Sequence, residues 1–160
     1  MAFQAQEFYS DQDLRQNDAQ MRRTLLIIGL PSLLFLAALV ASLVARTQWL
    51  TVLITVGWGA MFIFLWDMKI APVRAYRKHL LAVFSGLRRT AEGKVASFSE
   101  EGTYKDGVFF DTLIINGDPQ MDPEGERLFY VDRCKERPPL APGDFVRVTA
   151  NGNYVTAWEK

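Results

Sequence analysis

The sequence predicts a membrane α + β protein: a two-helix transmembrane hairpin, a basic amphipathic linker helix and a small five-stranded β-barrel. Three observations carry this. From Thr24 to Trp66 the only charged residue is Arg46. From Ala71 to Gly93 apolar residues recur at spacings of three and four beside a run of Arg and Lys. From Lys94 onward the period drops to two, and turn residues cut the chain into short segments. The predicted boundaries are a polar lead at 1–23, the hairpin at 24–67, the linker helix at 68–93 and the β domain at 94–160.

The lead is polar with scattered aromatics. Ser10 followed three residues later by Asp13 is a variant of the capping box, and Tyr9 with Leu14 has staple spacing. A helix is expected to start at Asp11 and run into the first span. Little fixed structure is expected before Ser10.

Thr24 to Ala45 is a run of 22 uncharged residues, and Trp49 to Trp66 a second of 18. A helix rises about 1.5 Å per residue, so about 20 apolar residues cross the hydrocarbon core. Only Arg46, Thr47 and Gln48 separate the runs, which forces an antiparallel hairpin. The first run is too long for the apolar part of a cleavable signal peptide, and a second span follows at once. Pro31 removes the amide that would bond Ile27, so a bend is expected there. Trp49 and Trp66 bracket the second span and are expected to anchor it at the two interfaces. Asp67 is expected at headgroup level beside Lys69. Small residues at spacings of four mark helix-packing faces: Ala37, Ala41 and Ala45 on the first span, Thr51, Thr55 and Gly59 on the second. The packing is within the hairpin or between copies.

Orientation follows from the basic residues at the span ends. Arg22 and Arg23 precede the first span; Lys69, Arg74, Arg77 and Lys78 follow the second; the turn has Arg46 alone. Both termini are therefore expected in the cytoplasm of a bacterium, as a multi-pass protein of the inner (plasma) membrane. The linker carries its apolar stripe at Val73, Tyr76, Leu80, Val83, Phe84, Leu87 and Ala91. Six basic residues stand against one acidic between Met68 and Gly93, with Pro72 near the expected start and Gly93 at the expected stop. Such a helix is expected to lie on an anionic bilayer surface, with Arg74, Arg77, Lys78, Arg88 and Arg89 as headgroup contacts. The alternative is that the stripe packs on the β domain and the charges are solvated.

Five strands are expected at 94–100, 107–116, 126–132, 143–150 and 153–159. Asp106-Gly107, Gly117-Asp118-Pro119, Pro123-Glu124-Gly125, Pro138 to Gly143 and Asn151-Gly152-Asn153 are the breaks. Five strands in so short a stretch bury a core only by closing. Val146, Val148 and Val155 are expected inward, and Val108, Phe110, Thr112 and Ile114 on one face of the second strand.

The run EGKVASF, then Pro142-Gly143-Asp144-Phe145-Val146-Arg147-Val148, Asn151-Gly152 and Tyr154-Val155, behind a membrane anchor, resembles the tail domain of NfeD-type proteins. The resemblance covers 94–160. It implies an OB-like barrel and a scaffold or partner role beside membrane assemblies of the stomatin/flotillin class. The serine-protease domain of longer NfeD-type proteins has no counterpart here.

No catalytic, metal or cofactor motif accompanies this plan. His79 is the single histidine and Cys134 the single cysteine, which rules out an intrachain disulfide. Cys134 is read as structural, although Arg133 and Lys135 flank it. Asn116, Asp118, Asp122, Glu124 and Glu126 form an acidic loop whose prolines break calcium-loop register. Residues 94–160 hold eight Lys/Arg and twelve Asp/Glu, a net −4 that makes nucleic acid an improbable partner. Arg127, Arg133, Lys135, Arg137 and Arg147, with Tyr130, Tyr154 or Trp158 for stacking, are what such binding would need. The expected function is a non-enzymatic adaptor or scaffold whose barrel binds a protein partner, a membrane protein or a second copy. The alternatives are a tethered OB-fold module for nucleic acid or a small ligand, and an accessory subunit of a transporter.

Overall fold

The computed structural model describes residues 6–117 and 125–160. The chain divides into two compact units, Arg15–Arg77 and Met1–Leu14 with Lys78–Lys160. Most of the acidic loop, from Asp118 to Glu124, lies outside the described residues.

In order the elements are β1 (Gln6–Glu7), α1 (Asp11–Val44), α2 (Gln48–Leu65), a π-helical turn (Trp66–Ile70), α3 (Ala71–Ser85), β2 (Arg88–Lys105), β3 (Val108–Asn116), β4 (Glu126–Asp132), β5 (Phe145–Asn151) and β6 (Tyr154–Glu159). Helix α1 starts where the sequence places it. The Asp13 carboxylate accepts the Ser10 amide at 2.8 Å, the return arm of a capping box. The helix continues through Pro31.

In the Arg15–Arg77 unit, α1 and α2 form the hairpin. The turn is closed by the Thr47 amide on the Ser42 carbonyl at 3.2 Å and the Arg46 amide on the Leu43 carbonyl at 3.1 Å. Arg46 takes φ 54°. This is the bonding of a Schellman stop, with arginine in the left-handed position that glycine usually fills. The Phe35 and Trp58 rings stack with centroids 4.5 Å apart. Near the turn the Ser42 and Thr51 hydroxyls share a hydrogen bond of 2.9 Å. The least exposed positions of α1 within the hairpin are Ile28, Pro31, Ser32, Phe35, Leu39 and Ser42. Ala37, Ala41 and Ala45 are exposed, so the expected alanine face does not pack within the hairpin. Bulkier side chains fill that seam instead. Of the partner stripe, Thr51 is half-buried on the seam, Thr55 is exposed, and Gly59 has nothing near where a Cβ would lie. Large apolar residues elsewhere on both helices are exposed, among them Leu26, Ile27, Leu30, Leu34, Val44, Val52, Val56 and Ile63. Both helices are long and apolar enough to cross a membrane.

In the second unit the strands bond in a closed ring, β2–β3–β4–β6–β5–β2. All pairings are antiparallel except the single contact of β4 with β6 at Tyr130 and Tyr154. β2 supplies two walls: Arg88 to Lys94 pair with β5, and Lys94 to Lys105 pair with β3. Asp106 and Gly107, both at positive φ, make the β2–β3 turn. The core inside the ring holds Ala91, Val95, Leu113, Ile115, Phe129, Val131, Val146, Val148, Ala150 and Val155.

Three expectations change. The linker helix ends at Ser85 rather than Gly93, and Arg88, Arg89 and Ala91 belong to β2. The Asn151 side chain causes this stop, donating to the Ala82 and Val83 carbonyls at 2.7 and 3.1 Å. Residues 6–9 are not loose: Gln6 and Glu7 pair with Trp158 and Ala157, and the Phe8 amide bonds the Thr156 carbonyl. The sheet thereby gains a sixth strand, which lies outside the ring. Val108, Phe110, Thr112 and Ile114 share one face of β3, and the ring core takes Leu113 and Ile115 from the opposite face. The register of β2 against β3 is irregular between Ser99 and Thr103, where β2 carries two extra residues.

Val146, Val148 and Val155 are inward, with Val148 fully buried. Val148→Ala is expected to destabilise this unit by about 1–3 kcal/mol through the cavity it leaves. The check is the midpoint of thermal unfolding of the full chain in detergent.

Candidate functional site

Among the expected contact residues on α3, Arg74, Arg77 and Lys78 are exposed. Arg77 is paired with Asp18 at 2.8 Å inside the helical unit. The apolar stripe of α3 is buried in the chain itself at Val73, Leu80 and Val83, while Leu87 is exposed beyond the helix. Arg88 and Arg89 sit on β2 opposite Asn151 and Ala150 and do not share a helical flank with Arg74. Trp49 and Trp66 are exposed on α2 and the π-helical turn.

The chemically distinctive region is in the β unit. Phe110, Tyr130 and Tyr154 form a ring cluster with centroids 5.1 to 6.0 Å apart. His79, from the last turns of α3, packs edge-on to Phe110 and Tyr154. The Lys105 ammonium lies 4.8 Å from the centre of the Tyr130 ring. Tyr9 completes the cluster. Its hydroxyl lies 3.0 Å from His79 Nε2 and donates to Asp132 Oδ2 at 3.3 Å. One hydroxyl proton cannot serve both neighbours at once, so which of Tyr9 and His79 donates in their shared bond depends on the histidine tautomer. The segment leading into α1 is thus pinned by a strand pair, a buried tyrosine and the Asp13–Lys135 ion pair at 2.5 Å.

Beside this cluster is a cleft of about 300 Å3 lined by Glu100, Asp111, Val131, Asp132, Arg133, Lys135 and Arg137. Arg137 is held by Glu100 and by the Phe98 carbonyl. Asp132 Oδ1 accepts the Cys134 amide at 2.8 Å. Asp111 is 6% exposed, and its Oδ1 has no hydrogen bond. Arg133 Nε stands 3.9 Å from that oxygen.

Burial pushes the His79 pKa below its ordinary value of 6.5, against the opposing charges of Asp132 and Asp106. Burial and the neighbouring Asp132 push the Cys134 thiol up, so it is a weak nucleophile at neutral pH. Asp13 is raised by burial, but the Lys135 ammonium and the Ser10 amide and hydroxyl hold it low overall. The line Asp132–Tyr9–His79 has the order of a relay, yet the rings of Phe110 and Tyr154 flank the histidine where a triad would need a nucleophile. Among the described residues, no group of three His, Cys, Asp or Glu is placed to hold a metal ion.

The basic residues that nucleic acid would use are engaged or dispersed. Arg147 is paired with Glu92 and Glu159, Lys135 with Asp13 and Arg137 with Glu100. Tyr130 and Tyr154 are close together, while Trp158 packs against the core. Sequence reasoning missed Asp111 and the partnership of Tyr9 with His79. A carboxylate inside the apolar run Val108 to Ile115 was a visible sign of the first. No local sign joins residues 9, 79 and 132.

No family model, no curated protein and no solved structure matches the chain.

The depressed His79 pKa sets a direction for pH dependence. The unfolded chain binds this proton more readily, so the contribution of neutral His79 is complete above about pH 6.5. It falls as pH drops from there through the folded pKa. The β unit is expected to lose stability as pH drops below about 6.5, read as a falling midpoint of thermal unfolding. His79→Gln should flatten this interval. Asp13 does not mimic the effect, because a lowered carboxyl pKa acts only below its ordinary 3.8.

Proposed function

We propose that this chain is a non-enzymatic, membrane-anchored adaptor of a bacterial plasma membrane. In this reading the hairpin spans the bilayer, both termini are cytoplasmic, and the β unit is an OB-like barrel that presents a surface to a protein partner. The observation that carries the proposal is the contrast between the units. Large apolar side chains around the hairpin helices are exposed, as lipid contact requires, whereas the β unit closes its core inside a ring. The Greek-key order of the closed ring supports the OB-like reading. It is also compatible with the NfeD-type resemblance of 94–160. Exposed Arg74 and Lys78, with Trp49 and Trp66 at the ends of α2, suit headgroup and interface contacts. The exposed Ala37, Ala41 and Ala45 are compatible with packing between copies or onto a membrane-protein partner.

The orientation has a direct test. A reporter enzyme active only outside the cytoplasm is expected to be silent when fused after Lys160 and active when inserted at Thr47. Activity at Lys160 sinks the orientation. Crosslinking in membranes followed by copurification tests the adaptor role. A recovered protein complex supports it, and recovery of RNA instead overturns it.

A further inference from the structure

We propose that the groove at the end of α2 binds the headgroup of phosphatidylethanolamine, its ammonium held between the Asp67 carboxylate and the Trp66 indole. The site rests on the reading of the hairpin as membrane-spanning. The groove has a volume of about 300 Å3 and is lined by Phe62, Ile63, Trp66 and Asp67. It lies where the helix changes register. The Ala71 amide bonds the Trp66 carbonyl, five residues back, which makes Trp66–Ile70 a π-helical turn. Pro72 follows, with no amide of its own to return to the helix. All four lining residues are exposed, so an occupant can reach each of them. The Phe62 and Trp66 rings stand 5.8 Å apart.

The chemistry of the occupant follows from the lining. Asp67 is a carboxylate in an otherwise apolar groove, and among the described residues it makes no side-chain hydrogen bond and no ion pair. A carboxylate next to an indole suits an organic ammonium, whose N–H groups bond the oxygens while its charge meets the ring face. In bulk water such a pair is worth little, but apolar walls and an adjoining bilayer lower the dielectric around it. Phe62 and Ile63 offer only apolar surface, so the ammonium belongs to an amphiphile whose tail lies along α2. The turn itself carries one acid and one base, Asp67 and Lys69. That balance fits a zwitterionic headgroup, with Asp67 for the ammonium and Lys69 for the phosphate. An anionic lipid would bring a negative charge to Asp67 with no ammonium to offset it. Choline has the charge of ethanolamine but no N–H, so it cannot hydrogen bond the carboxylate.

The test is native mass spectrometry of the full chain, delipidated in detergent and mixed with equal amounts of phosphatidylethanolamine, phosphatidylcholine and phosphatidylglycerol of identical acyl chains. The ethanolamine lipid is expected to be retained about five-fold over either of the others. Asp67→Asn, an exposed and nearly isosteric change, should erase the preference, and Trp66→Leu should reduce it. Asp11→Asn, at an exposed acid outside the helical unit, should leave it intact. Equal retention of the three lipids, or a preference for phosphatidylglycerol, overturns the site and leaves the spanning hairpin standing. A preference that survives Asp67→Asn also overturns it, by placing the ethanolamine elsewhere. Release of the chain from membranes by alkaline carbonate would overturn the spanning hairpin and the site with it.

Discussion

Gly93→Ala is expected to abolish cooperative folding of the β unit. Gly93 is buried in β2, opposite Val146 of β5 and one residue before Lys94, where β2 takes up β3 as well. A Cβ at this position would lie 2.2 Å from the Asn116 carbonyl oxygen and 2.7 Å from Ile115 Cγ2. The carbonyl belongs to the backbone of a paired strand and cannot rotate aside. Relief requires β2 and β3 to separate at the point where two walls of the ring meet. Overpacking typically costs about 1–3 kcal/mol where side chains can adjust. Here the backbone must move, so the cost exceeds that range and approaches the whole net stability of a small domain, about 5–15 kcal/mol. The measurement is amide hydrogen exchange of Val146 and Val148 in the full chain. Protection should collapse in Gly93→Ala. It should persist in Gly59→Ala, because nothing lies within 4 Å of that Cβ position on α2. Unchanged protection in Gly93→Ala would mean that β2 and β3 do not approach so closely.

Gly93 also shows where the sequence misleads. A glycine after an apolar stripe at helical spacing reads as a helix stop, and Leu87 and Ala91 prolong the stripe to meet it. The stop is Asn151, which caps the Ala82 and Val83 carbonyls from far along the chain. Gly93 is glycine because another backbone passes beside it. Local periodicity carries neither fact. What it does carry is the alternation of Val146, Val148 and Val155, the turns at Asp106-Gly107 and Asn151-Gly152, and the Ser10–Asp13 start of α1. The length and charge of the two apolar helices are legible for the same reason, since each is a property of one contiguous segment. The polar cleft is assembled from β2, β3, β4 and the segment after it, and no single segment announces it.

Phe110→Ala is the second large effect, expected to destabilise the β unit by about 3–5 kcal/mol. Phe110 is 1% exposed, the largest fully buried side chain of the described residues, yet it is not part of the valine-rich core inside the ring. Its ring lies 5.0 Å from His79, 5.1 Å from Tyr154 and 6.0 Å from Tyr130. It therefore joins three segments that the ladder hydrogen bonds connect poorly: the end of α3, the start of β6 and the middle of β4. The β4–β6 contact is a single parallel pair, Tyr130 with Tyr154, so the aromatic cluster holds the ring shut where the ladder is shortest. Truncation removes the transfer free energy of an aromatic ring and leaves a cavity whose other walls are themselves rings. It also removes the edge-on partner of His79, so Tyr9 should lose its anchor to α3. Two readouts separate this from a uniform loss of stability. The unfolding midpoint should fall by far more than for Val148→Ala, and amide exchange at Gln6 to Tyr9 should rise even where β2 and β5 remain protected. Phe110→Leu, which keeps most of the volume, should recover more than half of the loss. Equal exchange at Gln6 to Tyr9 in Phe110→Ala and wild type would show that the strand pairing of β1 with β6, rather than the Tyr9–His79–Phe110 contacts, holds the segment in place.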